Sequence, residues 1–154
     1  MEENLISKVK GLGQGSRFGL RVMENGKKPI KSFRDLEVYN VAYEGMLKVY
    51  REVFPFLPEA EKYDLKDQLG RSTKAPPRLI AEGYAKRHQK AGFQKYLDDA
   101  MGECNETIVG LEQACDLYGA PKELIEELVA LYDRLGRQIY RLREAWNNFK
   151  TQTS

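Results

Sequence analysis

Residues 93–119 read FQKYLDDAMGECNETIVGLEQACDLYG, with apolar positions Phe93, Leu97, Ala100, Cys104, Ile108, Leu111, Cys115 and Tyr118. Their spacing alternates between three and four residues. It therefore places all eight on one side of a helix of 3.6 residues per turn and leaves the acids on the other side. Gly119 follows directly, at the position where a left-handed residue ends a helix. Pro121 then stands at a first-turn position, where a missing amide costs nothing. Beyond it Leu124, Leu128, Leu131, Leu135, Ile139, Leu142, Trp146 and Phe149 make the stripe of another helix.

Upstream, Ser32-Phe33-Arg34-Asp35 has the form of a capping box and predicts a helix start. The stripe that follows is Leu36, Tyr39, Tyr43, Met46, Tyr50 and Val53, ended by Pro55 and Pro58. A further helical segment runs from about Pro58 to His88 and is interrupted by Pro76 and Pro77. In a helix interior these prolines deprive the Ser72 and Thr73 carbonyls of their amide donors, so a kink or restart is expected there. The hydroxyls of Ser72 and Thr73 are placed to help satisfy the bend. Three periodic helices and one interrupted helix, joined by short connections, predict an all-α, antiparallel up-and-down four-helix bundle over residues 32–150. Residues 1–31 read as a flexible, basic, glycine-containing arm, and residues 151–154 as a tail.

Composition excludes several classes of function. The chain has 154 residues, 42% of them hydrophobic and 31% charged, ordinary values for one soluble domain. No run approaches the roughly 18 apolar residues of a membrane span, and a cytoplasmic address is the expectation. Cys104 and Cys115 are about 16 Å apart along one helix, so they read as reduced thiols. The single histidine, His88, removes every arrangement needing two imidazoles. Gly11, Gly13 and Gly15 lack both the preceding strand and the Gly-Lys-Ser/Thr of a phosphate loop. Neither a metal nor a cofactor is expected.

The net charge of +2 conceals a segregation. Residues 62–95 carry nine Lys and Arg against three Asp and Glu, whereas residues 96–130 carry one against nine. Arg71, Lys74 and Arg78 fall at i, i+3 and i+7, on one helix face, with Lys86, Arg87 and Lys90 beyond them. Arg134, Arg137 and Arg141 repeat that spacing on the last helix. Each set is suited either to bridging successive phosphates or to pairing with acids of the third helix or of a neighbouring subunit.

The sequence resembles the four-helix-bundle proteins encoded in intervening sequences of 23S ribosomal RNA genes, whose relatives include accessory proteins of diversity-generating retroelements. Ser32-Phe33-Arg34-Asp35-Leu36-Glu37-Val38-Tyr39 is similar to the family's opening Ser-Phe-Arg-Asp-Leu-Glu-Val-aromatic. Gln68-Leu69, Arg71, Pro77 and Ile80-Ala81-Glu82-Gly83-Tyr84 resemble its second-helix pattern, and Phe93, Gly102 and Glu106 fit the third helix. Pro77, Ile80, Ala81, Glu82 and Gly83 thus form an architectural motif. The chain departs from the pattern at Gly70, where a second Arg is usual, and at Lys74, Pro76 and Arg78-Leu79. The resemblance implies a small bundle that assembles as a ring, typically a pentamer, without established enzymatic activity. In the retroelement relatives such a ring binds a reverse transcriptase and its template RNA.

Three functions are compatible with these residues. The first is a non-catalytic ring that binds RNA or a ribonucleoprotein through Arg71, Lys74, Arg78, Lys86, Arg87, Lys90, Arg134, Arg137 and Arg141 and through the basic arm, with a reverse transcriptase among its candidate partners. The second is a protein-interaction scaffold in which the acidic third helix of one copy meets the basic second helix of the next. The third, an enzyme, rests on Glu82 with Tyr84 or on Glu103 with Glu106, beside which the sequence supplies neither nucleophile nor cofactor loop. Glu82 is expected to pair with a nearby arginine instead.

Overall fold

The computed structural model describes residues 29–151, with the side chains of Lys90 and of residues 147–151 excepted. The arm up to residue 28, the tail beyond residue 151 and the Phe149 side chain lie outside the described residues. Four helices account for most of what is described: α1 (Glu37–Lys48), α2 (Leu65–Ala85), α3 (Lys90–Tyr118) and α4 (Lys122–Thr151). None is long and apolar enough to cross a membrane. Each helix packs on its neighbours in sequence, and α1 also packs on α4, so the four enclose one core.

The capping box forms, but on a short turn. Asp35 Oδ2 accepts from the Ser32 amide at 2.9 Å and Ser32 Oγ accepts from the Arg34 amide at 3.0 Å, around a 3₁₀ turn over Phe33–Asp35. Leu36 is then extended (φ −77°, ψ 121°) and fully buried, and α1 begins after it. Past Lys48 the chain continues through a π-helical stretch, Val49–Val53, and a 3₁₀ turn, Phe54–Phe56. A further 3₁₀ turn, Glu59–Tyr63, occupies the beginning of the second predicted segment.

The buried face of the first helical segment keeps Leu36 and Val53 of the predicted stripe but differs from it at the tyrosines. Val38, Val41, Ala42, Gly45, Val49 and Val53 face the core, whereas Tyr43 and Tyr50 are 43% and 38% exposed. Close packing explains the difference. A Cβ on Gly45 would stand 3.0 Å from the Tyr132 hydroxyl and 3.1 Å from Leu131, so α1 presents its small residues to α4, while Tyr39 is half-buried at the edge of the core and Tyr43 is left outside.

Helix α2 runs without interruption through both prolines and does not restart at them; Pro76 and Pro77 are buried within it. The neighbouring hydroxyls serve a different purpose from the one expected. Thr73 Oγ1 donates to the Leu69 carbonyl at 2.6 Å, one turn back, rather than to the carbonyls that the prolines free. Ser72 Oγ reaches across to α3, where Thr107 Oγ1 stands 2.9 Å from it and 2.9 Å from the Glu103 carbonyl. Both hydroxyls are buried, so this contact satisfies polar groups inside the α2–α3 seam.

The contacts along that seam fix its direction. Leu69 meets Gly110, Ser72 meets Thr107 and Gly83 meets Tyr96, so α3 returns along α2 in the opposite sense. A Cβ on Gly110 would lie 2.7 Å from Leu69 Cδ2, and one on Gly83 would lie 2.7 Å from Tyr96 Cβ. Helix α4 likewise runs against α3, with Trp146 on Phe93 (ring centroids 5.0 Å apart) and Arg143 bonded to Asp98 at 2.7 Å. It also runs against α1, through Gly45 with Tyr132 and an ion pair between Lys48 and Glu127.

The ends of the helices are closed locally. Gly119 takes the predicted left-handed conformation (φ 70°), and its amide donates to the Cys115 carbonyl at 3.0 Å. At the start of α2, Glu61 Oε2 accepts from the Leu65 amide at 3.0 Å while Oε1 accepts from the Tyr118 hydroxyl. One carboxylate thereby caps α2 and ties it to the end of α3. Both cysteines are unbridged, and burial pushes the Cys104 thiol up to about 12.

Two predictions follow from the packing. Alanine at a helical glycine gains up to about 1 kcal/mol of propensity where space is open, as at Gly136, where a Cβ would have no neighbour within 4 Å beyond its own helix backbone. At Gly83 the clash with Tyr96 outweighs that gain. Gly83→Ala should therefore lose about 1–2 kcal/mol in thermal unfolding, whereas Gly136→Ala is neutral or stabilising. The second concerns pH. The Tyr118 hydroxyl, followed by the Leu65 amide, holds the Glu61 carboxyl below its usual 4.5. Its contribution is thus present above that value and lost as pH falls through the lower, native-state one. In acid-unfolding titrations Tyr118→Phe should flatten the loss of stability below about pH 4.5.

Candidate nucleic-acid interface

With one side of α2 committed to the core through Leu65, Leu69, Ser72, Thr73, Ile80 and Gly83, its remaining side faces outward. Arg71, Lys74 and Arg78 all lie there and are exposed, as their spacing predicted. They are not equivalent. Arg71 is bonded to Asp67 at 2.9 Å and also faces Glu103 of α3. Burial, then Glu106 and Asp99, pushes the Glu103 carboxyl up, and Arg71 partly opposes this. Lys74 and Arg78 have no ion-pair partner among the described residues.

Beyond Arg78 the predicted cations are put to structural use. Lys86 donates to the Tyr96 hydroxyl at 2.7 Å, and its ammonium stands 4.8 Å from that ring. The Tyr96 hydroxyl in turn donates to Glu82 at 3.1 Å, so Glu82 is engaged by a tyrosine and not by the expected arginine. The hydrogen bond that Lys86 donates to Tyr96 is also the main reason that its ammonium titrates above its usual range. Arg87 lies 4.2 Å over the Tyr84 ring, and its Nη1 donates to the Tyr84 carbonyl at 2.9 Å. Its own carbonyl accepts from Trp146 Nε1 at 3.2 Å, which joins the end of α2 to α4. The Lys90 side chain lies outside the described residues.

The last helix supplies less than its spacing promised. Arg134 Nε donates to the Ala130 carbonyl at 3.2 Å, and Arg137 pairs with Asp133 at 2.7 Å. These partners belong to α4 itself, not to the acids of α3. Arg141 is exposed farther along the helix. The predicted sites therefore include an outward pair, Lys74 and Arg78, a partly neutralised Arg71, and four cations, Lys86, Arg87, Arg134 and Arg137, with contacts within the bundle.

The architectural motif divides too. Pro77 and Ile80 are buried, Ala81 is half-buried, and Gly83 admits the Tyr96 backbone side of α3, while Glu82 is exposed. The Glu82–Tyr84 pair considered for acid–base chemistry is not brought together, because Glu82 is held by Tyr96 whereas Tyr84 is buried beneath Arg87.

A feature missed by sequence reasoning adjoins Lys74. Tyr50 and Phe54, from the end of the first helical segment, lie 4.3 Å apart and line an open groove of about 250 Å³ with Gly70, Lys62, Lys66 and Lys74. Lys66 stands 5.8 Å over the Phe54 ring. The tip of the Tyr50 ring lies directly over Gly70, where a Cβ would meet its hydroxyl at 2.9 Å. The available signal was the i, i+4 spacing of Tyr50 with Phe54 and of Lys62 with Lys66. Assigning Tyr50 to the core concealed it.

An all-helical four-helix bundle, with its second helix buried on one side and basic on the other, is the class of protein these features define. The model of the 23S rRNA-intervening sequence protein family matches residues 34–141, and the chain belongs to that family. Comparisons with curated proteins and with solved structures give no match.

The contacts of Arg87 assign it to stability. Arg87→Ala removes a carbonyl contact and a ring contact at the end of α2, and should cost about 1 kcal/mol in urea unfolding.

Proposed function

We propose that the protein is a non-catalytic RNA- or ribonucleoprotein-binding bundle that works as a ring of identical copies, a homopentamer. The observation that carries this reading is the outward face of α2, where Lys74 and Arg78 are exposed without an ion-pair partner among the described residues. An unpaired cation loses little on contacting a phosphate, whereas Arg71 must first leave Asp67. Membership of a family named for ribosomal RNA intervening sequences accords with an RNA partner. A reverse transcriptase carrying its template RNA is one ribonucleoprotein of the proposed kind.

Assembly into a ring accords with the apolar groups on the surface. Tyr43, Phe56, Val109, Leu117 and Tyr140 are each between 43% and 66% exposed, and contacts between copies would cover such groups. Repeating a modest basic face around a ring raises avidity without any new contact.

Binding to a structured RNA, followed by fluorescence anisotropy, should weaken roughly 20- to 40-fold between about 50 and 200 mM salt if three phosphates are contacted per site. Lys74→Glu with Arg78→Glu should abolish it, whereas Arg71→Ala should weaken it less. No binding at low salt, or full binding by the double variant, would refute the proposal. Light scattering separates the scaffold reading, under which high salt dissolves the oligomer instead of releasing RNA.

A further inference from the structure

We infer that the groove between the end of the first helical segment and α2 is a pocket for one unpaired RNA base, with its flanking phosphates held by lysines. The inference rests on the RNA-binding reading above and deepens it, by supplying a means of preferring single-stranded nucleotides over phosphate charge alone.

The walls provide two kinds of contact at once. Tyr50 and Phe54 form a tilted pair with centroids 4.3 Å apart, and Tyr50 remains 38% exposed, so an aromatic surface is open to solvent. Lys62, Lys66 and Lys74 surround it. Lys62 stands 5.6 Å over the Tyr63 ring and Lys66 5.8 Å over that of Phe54. None of the three has an ion-pair partner among the described residues. Two acids also line the groove, Glu59 and Asp67, but Asp67 is already neutralised by Arg71. A net positive rim around an exposed ring is the combination by which proteins hold single-stranded nucleic acid, stacking the base and neutralising its backbone.

Chemistry decides among the occupants. An apolar peptide would leave the rim unpaired, and a purely acidic surface would leave the rings uncovered, whereas a nucleotide answers both the rings and the ammonium groups. The volume of about 250 Å³ in so open a groove suits one flat base rather than a helix. Position adds continuity. Lys66, Gly70 and Lys74 lie one turn apart on α2, and Lys74 belongs both to the groove and to the face that carries Arg78, so a strand leaving the groove meets that face directly.

The test compares a ten-nucleotide single-stranded RNA with an abasic phosphodiester of equal length, both labelled and titrated against the full-length protein at fixed salt. Wild-type protein should prefer the RNA. Tyr50→Ala should weaken RNA binding roughly 5- to 100-fold and leave the abasic strand unaffected, and Tyr50→Phe should retain the preference. Gly70→Ala should reduce it as well, by displacing the Tyr50 ring. Circular dichroism of each variant, matched to wild type, establishes that the fold is retained. Equal binding of RNA and abasic strand by wild type, or an unchanged ratio in Tyr50→Ala, overturns the groove while leaving the basic-face reading intact. Loss of both ligands on Lys74→Glu with Arg78→Glu, together with equal binding of RNA and abasic strand by wild type, would assign all binding to charge.

Discussion

The close approach of α2 to α3 is the constraint on which the rest of the structure depends. Gly83 and Gly110 have no side chain to hold the helices apart, and their missing Cβ atoms are replaced by Tyr96 and Leu69. Between them Ser72 and Thr107 meet across the seam, a buried polar contact that works in one register only. Sliding the helices by a turn would bury these hydroxyls without partners and press Leu69 into a residue larger than glycine. The seam thus determines which side of α2 is spent on the core.

Once that side is set, the functional surface follows from helix geometry. Leu69, Thr73 and Ile80 must face inward, so Arg71, Lys74 and Arg78 must face out. The same rotation brings Gly70 beneath Tyr50 and opens the groove beside Lys74. Packing and charge are therefore not separate layers of this molecule. The prolines take part in the inward side: both are buried, in a helix that passes through them.

The tyrosines of the first segment show where a periodic pattern is ambiguous. Tyr39, Tyr43 and Tyr50 recur at helical spacing, and so do Val38, Val41, Ala42, Val49 and Val53. Both stripes are valid descriptions of an amphipathic helix. What chose between them was Tyr132 of α4, which fills the space beside Gly45 and admits only small residues opposite it. A contact between residues nearly ninety positions apart leaves no local trace. The fate of the cations was hidden for the same reason, because Lys86 found Tyr96 on α3 and Arg87 was joined to Trp146 on α4.

The sequence by itself determined the helical class, the left-handed end at Gly119, the capping box at Ser32 and the outward row Arg71, Lys74 and Arg78. These depend on local backbone geometry and on a period of 3.6 residues, which neighbouring residues carry. Only the tertiary structure decided that α1 buries its small face, that Lys86 reaches Tyr96 and the Arg87 carbonyl reaches Trp146, and that Tyr50, Phe54 and three lysines share a groove. Those outcomes depend on which helices meet, at what distance, and on the space that glycine leaves between them.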